Sequence, residues 1–271
     1  MSTTKAVVLA RGLGTRMRSA DANALLSEDQ RLAADAGLKA MMPIGGRPFL
    51  DFVLSAIADA GLGRAAIIVA PDHEALRRYY ERTAPPQRIH IDFVVQAEPR
   101  GTADAVLAAE TWVGEAAFLV LNGDNLCLAA ELSELAALDV PGLLGFDRES
   151  LVRSGNIEAA RLRTFALIER DAAGYLTRIV EKPSTENVKR AGSHARVSMN
   201  CWRFDARIFD DCRAVPRSPR GEFELPDAVT RAIGRGIRFR VLPANGPVLD
   251  LSQRADAADI TRRLSNVVPQ P

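Results

Sequence analysis

The sequence predicts an α/β fold: a single Rossmann-like domain with a mixed, mostly parallel sheet and helices on both faces. Two observations carry this expectation. Apolar runs such as KAVVLA, AAIIVA and AFLVLNGD alternate with segments of helical periodicity, the pattern of a sheet covered on both sides. The 271 residues are 47% hydrophobic and 25% charged, an ordinary globular composition with enough apolar surface for one large core. No internal repeat or low-complexity tract interrupts the pattern.

The elements follow in order. KAVVLA is a strand that runs into a glycine loop, LARGLGTR, at residues 9–16. Residues 17–38 are polar and Ala-rich, a flap rather than core by this reading. In RPFLDFVLSAIADAGLG, Phe49, Phe52, Val53 and Ile57 recur at helical spacing, and Gly61 and Gly63 supply the stop. AAIIVA is the next strand, HEALRRYYERT a surface helix, and IHIDFVVQ an alternating strand that ends near Gln96. TADAVLAAETW opens a helix just after Gly101, with Thr102 as its expected N-cap. AFLVLNGD is an apolar strand ending at Asp124. The second half has shorter strands, FALIER, YLTRIVEKP and ARVSMNCWRF, then a helix in GEFELPDAVTRAIGRG and late strands in IRFRVLP and PVLDLS. It reads as a mixed extension of the same sheet.

Charge and cysteine usage narrow the function classes. Thirty-five basic and 34 acidic residues leave a net charge of +1 with no long basic run, so no nucleic-acid partner is expected and any polyanion handled is small. Cys127, Cys201 and Cys212 form no C-x-x-C pair and are too few for a disulfide framework or a zinc cluster. No signal-like segment and no membrane-length apolar run is visible, so a cytoplasmic enzyme is the expectation. His73, His90 and His194 show no metal-ligand spacing and receive no role.

The glycine loop suits a phosphate, but which phosphate chemistry it serves needs more than the loop. A Walker A loop requires Lys after its second glycine, and Gly14 is followed by Thr15 and Arg16. A dinucleotide fingerprint requires glycine where Met17 stands. Tight strand-to-helix turns also use glycine for backbone reasons alone. The loop, the Gln96–Gly101 segment and Asp124 nevertheless share one property, a place at the carboxyl ends of strands, where open α/β sheets bind ligands.

Seven stretches in register along nearly the whole chain, VVLARGLGTRM, LKAMMPIGGRPFLDFVL, QAEPRGTADAV, LNGDN, VEKP, RGEFELPDAV and VLDLS, resemble the sugar-1-phosphate nucleotidyltransferases, or nucleotide-sugar pyrophosphorylases. The chain is similar to the short forms without an appended β-helix domain. The resemblance implies one domain over residues 1–271, with a nucleotide-binding half at 1–128 and a sugar-binding half at 129–271. It also implies a reaction: a sugar 1-phosphate attacks the α-phosphate of a nucleoside triphosphate in line, giving a nucleotide-sugar and pyrophosphate with Mg²⁺ as cofactor. The alternative is a non-catalytic binder of nucleotide-sugars.

Carried over residue by residue, the resemblance makes Arg16, Asp124 and Lys182 the catalytic set. Leu9, Ala10, Arg11, Gly12, Gly14, Thr15, Arg16, Lys39, Gln96, Gly101 and Thr102 would bind the nucleotide, with Gln96 and Gly101 in the segment that reads the base. Asp124 and Asp250 would be the metal ligands, and Ala166, Glu181, Lys182, Asn200 and Glu222 the sugar-phosphate pocket. The chemistry fits these roles, since guanidinium and ammonium groups neutralise phosphates and an amide pairs with a base edge. Implied partners are UTP or dTTP ahead of GTP, and a sugar 1-phosphate; no membrane partner is expected and a homo-oligomer is left open. Two departures stand out: Leu38 replaces a usual proline before Lys39, and Arg11 stands where glycine or alanine is usual. Arg11 could contact the triphosphate or base, swing outward, or obstruct the loop; contact is the reading adopted, because a cation beside a polyanion gains Coulomb energy.

Overall fold

The computed structural model describes every residue except 1, 2, 13, 20–23, 182, 193 and 194, and the side chains of 189 and 191. Its strands are β1 (Lys5–Leu9), β2 (Pro43–Ile44), β3 (Arg47–Pro48), β4 (Arg64–Val69), β5 (His90–Val95), β6 (Phe118–Asn122) and β7 (Asn125–Leu126) in the first half. The second half contributes β8 (Gly142–Asp147), β9 (Ala166–Arg170), β10 (Leu176–Val180), β11 (Arg196–Ser198), β12 (Trp202–Phe204), β13 (Arg240–Ala244) and β14 (Leu249–Asp250). Ten of them form one sheet in the order β10-β9-β11-β8-β12-β6-β1-β4-β5, with β13 added beside β8. The pairs β1–β4, β1–β6, β4–β5 and β8–β13 are parallel, and the rest of the sheet is antiparallel. The expected mixed sheet is therefore present: its first half, β6-β1-β4-β5, is parallel throughout, and the second half extends it as the antiparallel part.

The period-2 alternation of the strands divides the core. In β1, Ala6 and Val8 face a layer built on helix Phe49–Asp59, whereas Val7 faces one that contains Phe118, Trp202, Phe204 and Phe239. Burying both faces explains why the strand reads as a continuous apolar run.

Four local expectations change. Residues 17–38 are not a polar cover: Met17 and Ala34 are fully buried in the core. Helix Glu28–Ala36 within them starts at Ser27 with a capping box closed by Gln30. Gln30 also donates to the Pro43 carbonyl at 2.8 Å, and Arg254 reaches the Met17 carbonyl and Asp35 at 2.8 and 2.5 Å. Thr102 is not an N-cap. Gly101 holds that position, and the Thr102 hydroxyl accepts the Leu225 N–H of a neighbouring helix at 2.9 Å. ARVSMNCWRF divides into β11 and β12 at Asn200, whose φ of 55° is the left-handed conformation that asparagine tolerates better than most residues. The late strand β14 pairs only with β7, outside the main sheet.

Candidate active site

Register gathers the predicted residues at one edge of the sheet. Parallel pairing sets Leu9 beside Asn122 and Ile68, so the turns after β1, β4 and β6 open on the same side. In the antiparallel half, Trp202 lies opposite Val120, Ser198 opposite Ala166 and Val180 opposite Leu167. Continuing those registers brings Asn200, Ala166 and Glu181 to that edge. A mixed sheet thus supplies strand ends from one half and both starts and ends from the other.

The turn after β1 is held by two contacts, Ala10 N–H to Ile68 O at 3.1 Å and Gly123 N–H to Leu9 O at 2.9 Å. Gly14 begins the following helical turn at φ 61°, and a β-carbon there would meet the Gly37 carbonyl at 2.4 Å. Glycine is thus required for close packing as well as for conformation. Next to this turn a cleft is lined by Leu9, Ala10, Gly12, Lys39, His73 and Asp124 among others. Lys39 Nζ pairs with Asp124 Oδ2 at 3.0 Å, with both side chains partly exposed at 20% and 26%. The ammonium placed by the resemblance therefore neutralises the first proposed metal ligand. Arg16 is exposed and, among the described residues, has no hydrogen bond or ion pair. Its cation is available to a ligand.

Asp250 stands behind Asp124. Pairing of β14 with β7 sets Asp250 opposite Asn125, and the Leu251 N–H donates to Asp124 O at 2.9 Å. The Asp250 carboxylate is deeply buried: Oδ1 accepts from Asn125 Nδ2 at 2.9 Å, the Ser252 hydroxyl lies 2.9 and 3.0 Å from its two oxygens, and Oδ2 accepts from Arg161. Burial, followed by the Asp124 charge, pushes its carboxyl up to about 6 although Arg161 pulls the other way. The same guanidinium also donates to Asp256 Oδ1 at 2.8 Å.

The base segment is fastened separately. Gln96 is 4% exposed, and its amide nitrogen donates to Gly101 O at 3.1 Å and to Asp104 Oδ2 at 2.7 Å. Both amide hydrogens are thereby used, which leaves Oε1 as the free acceptor. Arg11 turns onto this segment: Nε donates to the Gln96 carbonyl at 3.3 Å. Gly101, at φ 112°, lies against the loop before the Leu225–Gly234 helix, where a β-carbon would meet Phe223 O at 2.5 Å. Glu222 is half-buried in that loop. Lys182 lies outside the described residues.

The nucleotidyl transferase family profile matches residues 5–246. The chain belongs to this family. It is 26% identical over 268 residues to the UTP–glucose-1-phosphate uridylyltransferase AglF of Haloferax volcanii, with 98% of each chain covered. It is also 26% identical over 266 residues to a glucose-1-phosphate thymidylyltransferase of Streptomyces antibioticus, covering 95% of this chain and 65% of that one. Among solved structures, UDP-glucose pyrophosphorylase complexed with UDP-glucose aligns over 97% of this chain and 99% of that one, with a TM-score of 0.76 and 18% identity. This likeness establishes the nucleotidyl transferase fold.

Sequence reasoning missed four residues that the family fold brings into or beside the site. Asp104 and Asn125 hydrogen-bond Gln96 and Asp250, and only their nearness to quoted motifs pointed to them. His73 lines the cleft with Nδ1 buried and unpaired, and burial lowers its pKa; its place just after β4 was the available signal. Arg161 had none, as one of two arginines in a featureless EAARLRT stretch.

Proposed function

We propose that this nucleotidyltransferase joins a sugar 1-phosphate, glucose 1-phosphate first among candidates, to UTP or dTTP. The observation that carries the reading is the convergence at one sheet edge of Arg16, exposed and unpaired among the described residues, the Lys39–Asp124 pair and the buried Gln96. An oxygen of the sugar phosphate attacks the α-phosphorus while the bond to the bridging β-phosphate oxygen breaks and pyrophosphate leaves. Two polyanions must meet for that, so holding them in line and neutralising their charge are the main tasks. Backbone N–H groups of the 9–16 loop and the Arg16 guanidinium would hold the departing β- and γ-phosphates, and Lys39 would hold phosphate once it exchanges Asp124 for the ligand. Lys182 is the proposed clamp on the sugar phosphate, with Glu181, Ala166, Asn200 and Glu222 around the sugar.

A divalent ion, Mg²⁺ in this proposal, would offset phosphate charge. Asp124 fits it, because its partly exposed carboxylate is engaged, among the described residues, only by a displaceable lysine. Asp250 does not fit as it stands, because its oxygens are engaged inside the protein.

Gln96 Oε1 would accept the imide N–H of uracil or thymine, a group that cytosine and adenine lack at this position. The relatives named for UTP and for thymidylyl transfer support this choice. Pyrophosphate release measured over a panel of four triphosphates and several sugar 1-phosphates tests the reading. Turnover with UTP or dTTP supports it; binding without turnover across the panel would leave a nucleotide-sugar binder instead.

A further inference from the structure

We infer that Arg161 holds the second cation position of this site, so that the guanidinium is the resident counter-charge of Asp250 and a divalent ion binds through Asp124 and substrate phosphates. The inference rests on the proposed role of Asp124. Arg161 sits in a 3₁₀ turn, Ala159–Thr164, just before β9, and its side chain is 15% exposed. It bridges two carboxylates, Asp250 and Asp256, whose side chains are only 3% and 5% exposed.

Neither carboxylate is free to follow an incoming ion. Asp256 Oδ2 accepts the N–H groups of Ser252 and Gln253, both at 2.8 Å, and so caps helix Arg254–Arg263. The backbone of Asp250 is pinned by Asn156, which accepts its N–H at 2.7 Å and donates to its carbonyl at 2.9 Å. A metal ion on Asp250 would need the guanidinium to leave, and this would strand a buried cation beside an incoming dication. Retaining Arg161 avoids both costs. It also gives a planar bidentate partner for two carboxylates, which suits arginine better than a single-point cation.

Manganese titration of the full chain without nucleotide, followed by electron paramagnetic resonance, tests this. Arg161→Gln should tighten Mn²⁺ binding by about tenfold or more, because it frees a second carboxylate for the ion. Adding Asp250→Asn to that variant should cancel the gain, whereas Asp250→Asn in the otherwise unaltered chain should change Mn²⁺ affinity less than about twofold. If the unaltered chain binds Mn²⁺ too weakly to measure, the appearance of binding in Arg161→Gln still supports the inference and its absence overturns it. A folded Arg161→Gln chain without the gain, or a large loss of Mn²⁺ on Asp250→Asn alone, also overturns it. Should Arg161→Gln not fold, Arg161→Met takes its place: it too removes the cation and keeps an unbranched side chain, so tighter Mn²⁺ supports the inference and unchanged affinity overturns it. Normal turnover with magnesium alongside a failed manganese test removes only this inference, whereas absence of turnover removes the reading beneath it.

Discussion

The parallel and antiparallel halves of the sheet reach the same edge by different means. In the parallel half every strand points the same way, so each candidate group follows a strand end: Arg11 and Gly12 after β1, Gln96 after β5, Asp124 after β6. In the antiparallel half directions alternate, and the edge collects the start of β9 at Ala166, the end of β10 at Val180 and the bend at Asn200 between β11 and β12. A parallel sheet therefore writes its site into the chain as a repeated apolar strand followed by a functional turn. An antiparallel one scatters it.

The largest effect is expected at Asp124, the group of the parallel half nearest the proposed chemistry: Asp124→Asn should lower kcat/KM by on the order of a thousandfold, about 4 kcal/mol, in a pyrophosphate-release assay. Near-normal turnover of that variant would move the centre of the site away from the β6 turn. Gly101 joins the halves. Gly101→Ala must relieve a 2.5 Å approach to Phe223 O at a positive φ, and urea unfolding should show a loss of about 3 kcal/mol. Gly12→Ala is its control: a β-carbon there meets nothing within 4 Å, so stability should move by less than about 0.5 kcal/mol. Equal losses in the two variants would mean that the strap between the halves is not what makes Gly101 special.

A smaller effect separates the two substrates. Lys182→Ala should raise KM for the sugar 1-phosphate by roughly tenfold and leave that for the nucleotide within about twofold, the result of deleting one charge-assisted contact. Equal shifts would assign the lysine to both ligands. The smallest effect concerns Arg11. Its Nε already donates to the Gln96 carbonyl, so Arg11→Gly should weaken nucleotide binding by only about 1 kcal/mol in calorimetry. Tighter binding would identify Arg11 as an obstruction across the base segment.

Much of the candidate site was legible before the structure because its chemistry sits in short local patterns. Glycine at 12 and 14, the apolar run ending at Asp124 and the Gln96–Gly101 spacing are all contiguous. Residues 17–38 resemble cover in the chain because the stretch is polar and Ala-rich, whereas Met17 and Ala34 are buried in the fold and Arg254 and Thr261, more than 200 residues away, hydrogen-bond the Met17 carbonyl and Gln30. Thr102 failed as a cap for the same reason, since its hydroxyl is taken by Leu225 from another helix.

Periodicity and side-chain chemistry are local properties, so the α/β class, the apolar strands and the residue types that can neutralise phosphate are already written in the chain. Which charges are spent on one another depends on the folded arrangement. Asp124 and Asp250 look alike as turn aspartates in the chain, yet one keeps a partly open carboxylate beside Lys39 and the other is buried against Arg161, Asn125 and Ser252. The physical reason is that an ion pair depends on distance and burial across the fold, and residues 161 and 250, 89 apart in the chain, are brought together only by the fold.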